Sequence, residues 1–313
     1  MKVKFWGVRG SIPTPLTNAQ VQNKIAAVVQ RIEKKDLESP ETRELFLAQI
    51  PRYLFGTVGG NTTCIEVRLS DDSMIVFDAG SGLRELGYAL KKQKRLKRHF
   101  HFFFTHFHWD HLQGLPFFSA LSEKDARMTF YSPEEKLEEY VRGQMRFPYF
   151  PVTLDLMPAN IEFKTLEKQP FKVGRGEVTW RKMKHPGGCV SYQVKENGKR
   201  VIFSTDTELS ESDFEKNEEN RSYYQNADLL IMDAQYTLGE AIEKYDWGHS
   251  SYSLAVDFSV AWNIKNLVLF HHEPLYDDKK MYGILKSSNW YLNHLEQQGV
   301  NIFLAREQME LEV

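Results

Sequence analysis

Four side chains able to ligate a metal fall within six residues of this chain: His106, His108, Asp110 and His111, in the run Thr105-His-Phe-His-Trp-Asp-His111. Imidazole nitrogen and carboxylate oxygen are the donors that borderline cations such as Zn²⁺ accept. The apolar run 101–104 before them reads as a buried strand, and the turn leaving a strand can aim alternate side chains at one point. The spacing gives each of two ions its own pair, His106 with His108 and Asp110 with His111. A dinuclear site is the resulting expectation.

Two four-coordinate ions need about seven or eight ligand positions, so more donors are required elsewhere. The same signal, a polar ligand closing an apolar strand, recurs three times. His185 follows the strand 178–184 and opens His-Pro-Gly-Gly-Cys. Asp206 closes Val201-Ile-Phe-Ser-Thr-Asp, where its two oxygens can bridge two cations, and His271 closes Leu267-Val-Leu-Phe-His. Asp78 ends the strand 74–77 and can orient a ligating imidazole from behind. His249, in Trp247-Gly-His-Ser-Ser, reads either as a ligand competing with His271 or as a proton donor and phosphate contact. His272 is the weakest candidate, and His99, His101 and His294 read as structural or solvated.

The elements that must position these residues are legible from their periodicity. Strand character at 3–8, 62–67, 74–77 and 101–104 is interrupted at 18–50, where Val21, Ile25, Val28 and Ile32 recur at helical spacing. Ser39-Pro40 looks like an N-cap with proline at the first helical position, opening a second helix that stops at Pro51. A helix-like stretch runs from His111 to about Ala120, another covers 133–146, and the aromatic, proline-rich run Phe147-Pro-Tyr-Phe-Pro151 cannot be regular. The second half repeats the strand-rich pattern, with helices between its last strands and at 279–298. The expectation is a single domain over 1–313, of packed mixed sheets, with a helical insertion at 16–55.

Composition narrows the function. The 313 residues are 42% hydrophobic and 13% aromatic, enough for a substantial core. A net charge of −2 gives no global electrostatic case for a nucleic-acid partner. The one basic run, Lys91, Lys92, Lys94, Arg95, Lys97 and Arg98, reads as the solvated end of a helix that begins near Gly82. Two cysteines, Cys64 and Cys189, make no disulfide framework and fit a reducing compartment. The opening Met1-Lys-Val-Lys-Phe-Trp lacks a signal peptide's apolar stretch, and no run of about 18 apolar residues could span a membrane. A cytoplasmic protein without a membrane partner is expected.

On these motifs the chain resembles the metallo-β-lactamase superfamily of metallohydrolases, whose signature matches 105–111 followed by His185, Asp206 and His271. The resemblance takes in nearly the whole chain apart from the hairpin at 18–50. It implies an α/β fold, the four-layer αββα sandwich of two mixed β-sheets, with metals at one edge. It also implies two divalent ions per chain: His106, His108 and His185 on one, Asp110, His111 and His271 on the other, and Asp206 bridging. Zn²⁺ heads the candidates, and the same nitrogen and oxygen donors suit Mn²⁺ and Fe²⁺.

Within the superfamily the chain is similar to phosphodiesterases. Ribonuclease Z and the phosphoribosyl cyclic phosphodiesterases keep a Gly-His-Ser segment before the last ligand, matched here by Gly248-His249-Ser250. The opening Phe5-Trp-Gly-Val-Arg-Gly-Ser-Ile-Pro13, with Gly59-Gly-Asn-Thr-Thr-Cys64, resembles the cyclic phosphodiesterases in particular. There are two departures. The transfer-RNA processing enzymes insert a substrate-gripping arm between the positions of His185 and Asp206, where this chain has only a hairpin turning at Asn197-Gly198. Asp233-Ala-Gln stands where those enzymes have His-Glu-Ala, which puts an acid–base role there in doubt.

The expected chemistry is hydrolysis of a small, cyclic phosphodiester by hydroxide held between two ions, with Asp110 orienting the nucleophile and His249 handling phosphoryl or leaving-group charge. The alternatives are a ribonuclease Z-like endoribonuclease and a non-catalytic metal-binding regulator on the same fold. The hairpin at 18–50 and the run 147–151 are expected at the metal edge, as a lid or as the contact of a homodimer.

Overall fold

The computed structural model describes residues 1–92, 98–167, 170–295 and 299–313. Lys94, Arg95 and Lys97 of the basic run lie outside the described residues. Two seven-stranded mixed sheets face each other. The first is built from β1 (Lys2–Gly7), β2 (Cys64–Arg68), β3 (Met74–Phe77), β4 (His99–Phe103), β5 (Arg127–Ser132) and β6 (Asn160–Thr165). The second uses β7 (Phe171–Val173), β8 (Gly176–Met183), β9 (Cys189–Glu196), β10 (Lys199–Ser204), β11 (Leu229–Asp233), β12 (Asn266–Phe270) and β13 (Asn301–Leu304). The last strand, β14 (Glu310–Glu312), returns to the first sheet beside β1. Each sheet is antiparallel in one half and parallel in the other: β3 to β6 run parallel, as do β10 to β13.

The four layers follow from strands that are apolar on both faces. Ile75, Phe77, Phe203 and Ile231 point between the sheets, while Val76, Phe102, Ile202 and Leu230 point outward. The outer face of the first sheet is covered by α4 (Gly82–Lys91) and α6 (Leu137–Gln144), through Leu83, Leu86, Leu137 and Val141. The second sheet is covered by α8 (Glu218–Tyr224), α10 (Tyr252–Ala261) and α11 (Asp278–His294). Single turns α5 (Trp109–Leu112) and α7 (Glu211–Phe214) and the short α9 (Leu238–Glu243) complete the loops at the ligand edge. No helix among the described residues is long and apolar enough to cross a membrane.

Two local expectations meet a different outcome, and a third, the turn between β9 and β10, is met. The insertion between β1 and β2 does form α1 (Asn18–Val29), α2 (Pro40–Gln49) and α3 (Arg52–Phe55), and Ser39 caps α2 through the amide of Thr42. No residue of α1 is buried, however. Of the expected stripe, Val21 and Ile25 are exposed by 41% and 59%, while Val28 and Ile32 are half-buried. The insertion is held by polar attachments, Lys24 reaching both the Gly56 carbonyl and the Asp278 carboxylate. The helix expected from His111 to Ala120 is one turn of α5 followed by 3-10 turns at Leu115–Phe117 and Ser119–Ser122. The Gly114 amide donates to the Ala79 carbonyl (2.8 Å) instead of up a helix, and Pro116 has no amide to give. The hairpin between β9 and β10 turns on Asn197 and Gly198, both with positive φ (51° and 76°), which is the turn its two residues require.

Candidate metal centre

Loops leaving β3, β4, β8, β10, β11 and β12 bring their polar residues together at one edge. Asp78, Asp206 and His271 adopt left-handed backbone conformations, with φ of 57°, 46° and 61°. Non-glycine residues pay a conformational cost there, and such outliers collect where side chains must be aimed. Here each reversal turns a strand-end side chain towards a common centre. The Arg9-Gly10-Ser11 segment crosses over that centre, and it passes only because residue 10 is glycine: a Cβ there would sit 2.5 Å from His271 Cε1. The buried Arg9 guanidinium fixes the segment by donating to the carbonyls of Gly59 (3.0 Å), Glu273 (3.1 Å) and Tyr276 (2.9 Å).

All seven residues expected as ligands converge. One group comprises His106, His108, His185 and Asp206, the other Asp110, His111, Asp206 and His271, each with ligand atoms within 4.8 Å of one another. Asp206 belongs to both. Its Oδ2 lies 3.7 Å from His106 Nε2 and 3.8 Å from His185 Nε2, while its Oδ1 lies 3.3 Å from His111 Nε2 and 3.2 Å from His271 Nε2. Asp110 Oδ2 stands 3.2 Å from His111 Nε2 and 3.3 Å from His271 Nε2. Donors held about 2.0–2.1 Å from a tetrahedral ion stand about 3.3–3.4 Å apart, so these separations fit two cations.

Hydrogen bonding assigns the tautomers in the same sense. Nδ1–H of His111 donates to Asp78 (2.8 Å), that of His185 to the Gly248 carbonyl (3.0 Å), and that of His271 to Gln235 Oε1 (3.1 Å). The Thr105 hydroxyl donates to Asp78 (2.8 Å), which leaves its lone pair for Nδ1–H of His106 at 3.1 Å. Four imidazoles therefore turn a bare Nε2 inward, and the buried Nε2 atoms of His106 and His111 have no hydrogen-bond partner. His108 presents Nδ1 instead, 3.3 Å from His185 Nε2. Buried lone pairs set against one another make sense with a cation between them.

Charge follows suit. Burial would raise the Asp206 carboxyl, but His271, His111 and His106 around it hold it well below the usual carboxylate range. Burial likewise opposes charge on His111, yet Asp110, Asp206 and Asp78 around it favour positive charge at its Nε2, whether a proton or a cation. The cluster is an anionic pocket calling for positive charge.

Residues 73–272 match the beta-lactamase superfamily domain. The chain belongs to that superfamily. Among its curated relatives, Ribonuclease Z of Pyrococcus furiosus is 27% identical over 258 residues, covering 69% of this chain and 82% of that one. Among solved structures, the metallo-beta-lactamase fold protein YhfI from Bacillus subtilis aligns with a TM-score of 0.65 at 16% identity, over 100% of this chain and 98% of that one. A diphosphatase from the PhnP family aligns at 0.62 and 16% identity, covering 100% and 97%. The superfamily fold and the two His/Asp groups together imply divalent metal ions.

The remaining sequence candidates also have definite places. Asp78 accepts Nδ1–H of His111 from behind. His249 lies beside the donors: its Nδ1–H donates to Asp233 Oδ2 at 2.7 Å, shorter than the spacing of two ligands on one ion. His272 donates to or accepts from no ligand and faces the Ala305 carbonyl (2.8 Å), while His99 and His101 pair with Thr129 and Tyr131. The doubt over Asp233-Ala-Gln resolves structurally: Asp233 orients His249, and Gln235, which donates to Glu273 (2.9 Å), orients His271. Asp233 closes an apolar strand as Asp206 does, so the same signal could have found it. Ser11, whose amide donates to Asp110 Oδ2 (2.8 Å), carried no such signal.

The donors open into a cavity of about 380 Å³ lined by Ser11, Phe107, His108, Trp109, His249 and both aspartates of the centre. The hairpin and the run 147–151 contribute none of its lining. The root of the hairpin, Pro13 to Leu16, instead lines a neighbouring cavity with Phe117, whose ring meets Phe150 at 5.8 Å.

Proposed function

We propose that this chain is a two-metal phosphodiesterase acting on a small, cyclic phosphodiester. The observation that carries the reading is His249, oriented by a buried carboxylate and facing the same cavity as the donors His108, Asp110, Asp206 and His271. With Nδ1–H committed to Asp233, Nε2 is the atom that exchanges protons with substrate. Asp233 pushes His249 up to about 9 against the opposing effect of burial, so it carries a proton at neutral pH and can release it to a leaving alkoxide. Asp110, fixed by the Ser11 amide at Oδ2, would orient the attacking water. Two divalent cations bound by the seven donors would supply the Lewis acidity that makes water nucleophilic near neutral pH and neutralises phosphoryl charge. Zn²⁺ suits the donors best, with Mn²⁺ or Fe²⁺ also compatible.

Substrate size is read from the cavity, whose volume suits one nucleotide-sized group, and from the two-residue turn between β9 and β10, which leaves no arm to hold a long one. The Ribonuclease Z relatives favour a second reading, cleavage of a larger RNA. Assay of the metal-loaded protein against cyclic phosphodiesters and a structured RNA separates the two. His249→Ala is expected to keep both metals and lose ~10²–10⁴-fold in kcat. Unchanged kcat in that variant, or turnover of RNA alone, would overturn the proposal.

A further inference from the structure

On the far side of His249 lies a second cavity, of about 530 Å³, and His249 lines both. Its walls come from three elements: Leu238 and Ile242 of α9 with Tyr245 beyond it, Tyr252 and Asp257 of α10, and Trp290 of α11. Leu238, Ile242, Tyr245 and Trp290 are 59%, 69%, 69% and 60% exposed. Aromatic and aliphatic surface kept in solvent beside a reaction centre is a feature of a ligand subsite. No lysine or arginine is among the described residues that line it, and two carboxylates, Glu208 and Asp257, are. Glu208 is engaged, accepting the Gly248 amide (3.1 Å) and Lys184 (2.6 Å). Asp257 accepts the Tyr291 hydroxyl through Oδ1 (2.8 Å), and its Oδ2 has no hydrogen-bond partner among the described residues.

We propose that this groove is the leaving-group subsite and takes a flat aromatic base with N–H donors on its edge, making the substrate a nucleotide-type phosphodiester. The proposal rests on the phosphodiesterase reading. His249 lines both cavities, so the leaving fragment of a substrate seated at the donors, where it extends past the imidazole, enters this groove. The outer faces of Trp290, whose other side rests on His294, and of Tyr245, which carries Lys184 over one side, can stack on a base. The free oxygen of Asp257 selects bases with adjacent N–H donors, of which guanine is the clearest case. A phosphate or bare sugar phosphate gains little here, since among the described lining residues there is no lysine or arginine and Glu208 and Asp257 oppose an anion beside the one imidazole, His249.

The test compares guanosine 2′,3′-cyclic phosphate with a ribose cyclic phosphate lacking a base, using the metal-loaded full chain. The wild type should prefer the base-bearing ester by about tenfold or more in kcat/KM, and Trp290→Ala should lose most of that preference through KM. Asp257→Asn should lower the preference for the guanine ester over the adenine ester. Absence of a base preference in the wild type, or its persistence in Trp290→Ala, overturns the proposal. If neither ester is cleaved, the phosphodiesterase reading falls, and guanosine titration followed by tryptophan fluorescence judges the groove alone. Saturable quenching that Trp290→Leu abolishes upholds it, and no saturable binding overturns it.

Discussion

The two halves of the candidate metal centre share Asp206 and differ in almost everything else. His106, His108 and His185 offer three neutral imidazoles, and His108 is exposed to the substrate cavity. Asp110, His111 and His271 offer a second carboxylate and are all buried. The supports differ in the same direction: a hydroxyl and a backbone carbonyl stand behind His106 and His185, whereas the Asp78 carboxylate and the Gln235 amide stand behind His111 and His271. More negative charge in a drier place binds a cation more tightly, and an open edge lets one exchange. With ions bound, the first half would present its ion at the open cavity and the second would hold its ion in a drier, more negative pocket.

The largest test of this contrast is Asp206→Ala, which removes the one group common to both halves. Metal analysis should show both ions lost and turnover at background. A variant that kept two ions would break the description of Asp206 as a bridge. His108→Ala and His271→Ala come next. The first should lose one ion and keep the buried one, while the second should empty the buried position. In the wild type, a graded chelator should remove one equivalent well before the other, and simultaneous loss would abolish the distinction. Asp78→Asn is the finer probe: it should weaken only the buried ion, by about 10–100-fold. Equal weakening of both ions would show that Asp78 acts on the whole edge.

The smallest effect lies away from the centre and serves as its control. Burial, with His99 beside it, lowers His101 from 6.5 to about 3, so it is neutral when folded. Its stabilising contribution is complete above the unfolded value of about 6.5 and is lost as pH falls towards about 3. Replacement by Gln should flatten that limb of the thermal-stability profile without altering metal content. A metal loss that follows the variant would tie His101 to the site.

The candidate ligands were legible in the sequence because metal binding restricts residue type and because strand ends are recognisable positions. His185, Asp206 and His271 each close an apolar run, and the fold does place those ends together. Asp233 and Gln235 were obscured by a different criterion, comparison with a motif they depart from, although Asp233 obeys the strand-end rule. The outer surfaces were less legible. Helical spacing in α1 reports an apolar stripe but not how deeply it is covered, and here Val21 and Ile25 stay exposed while Val28 and Ile32 are only half-buried. The groove beside His249 was invisible for another reason: Tyr245, Tyr252 and Trp290 belong to separate segments that each look like ordinary amphipathic sequence. The short strands β13 and β14 are defined by the neighbours they complete, so nothing in their own residues announced them.

The Arg9 clamp joins atoms separated by 264 and 267 positions along the chain, and the Ser11 contact with Asp110 adds another of 99. Contacts this distant form late in folding, since the loop they close is long and its entropy must be overcome first. A ribosome-bound chain would hold the 105–111 hexapeptide for most of its synthesis with His271 not yet made. The bridging arrangement is thus withheld until nearly the whole polypeptide has been produced, and cation selection becomes an act of the finished fold rather than of the nascent peptide.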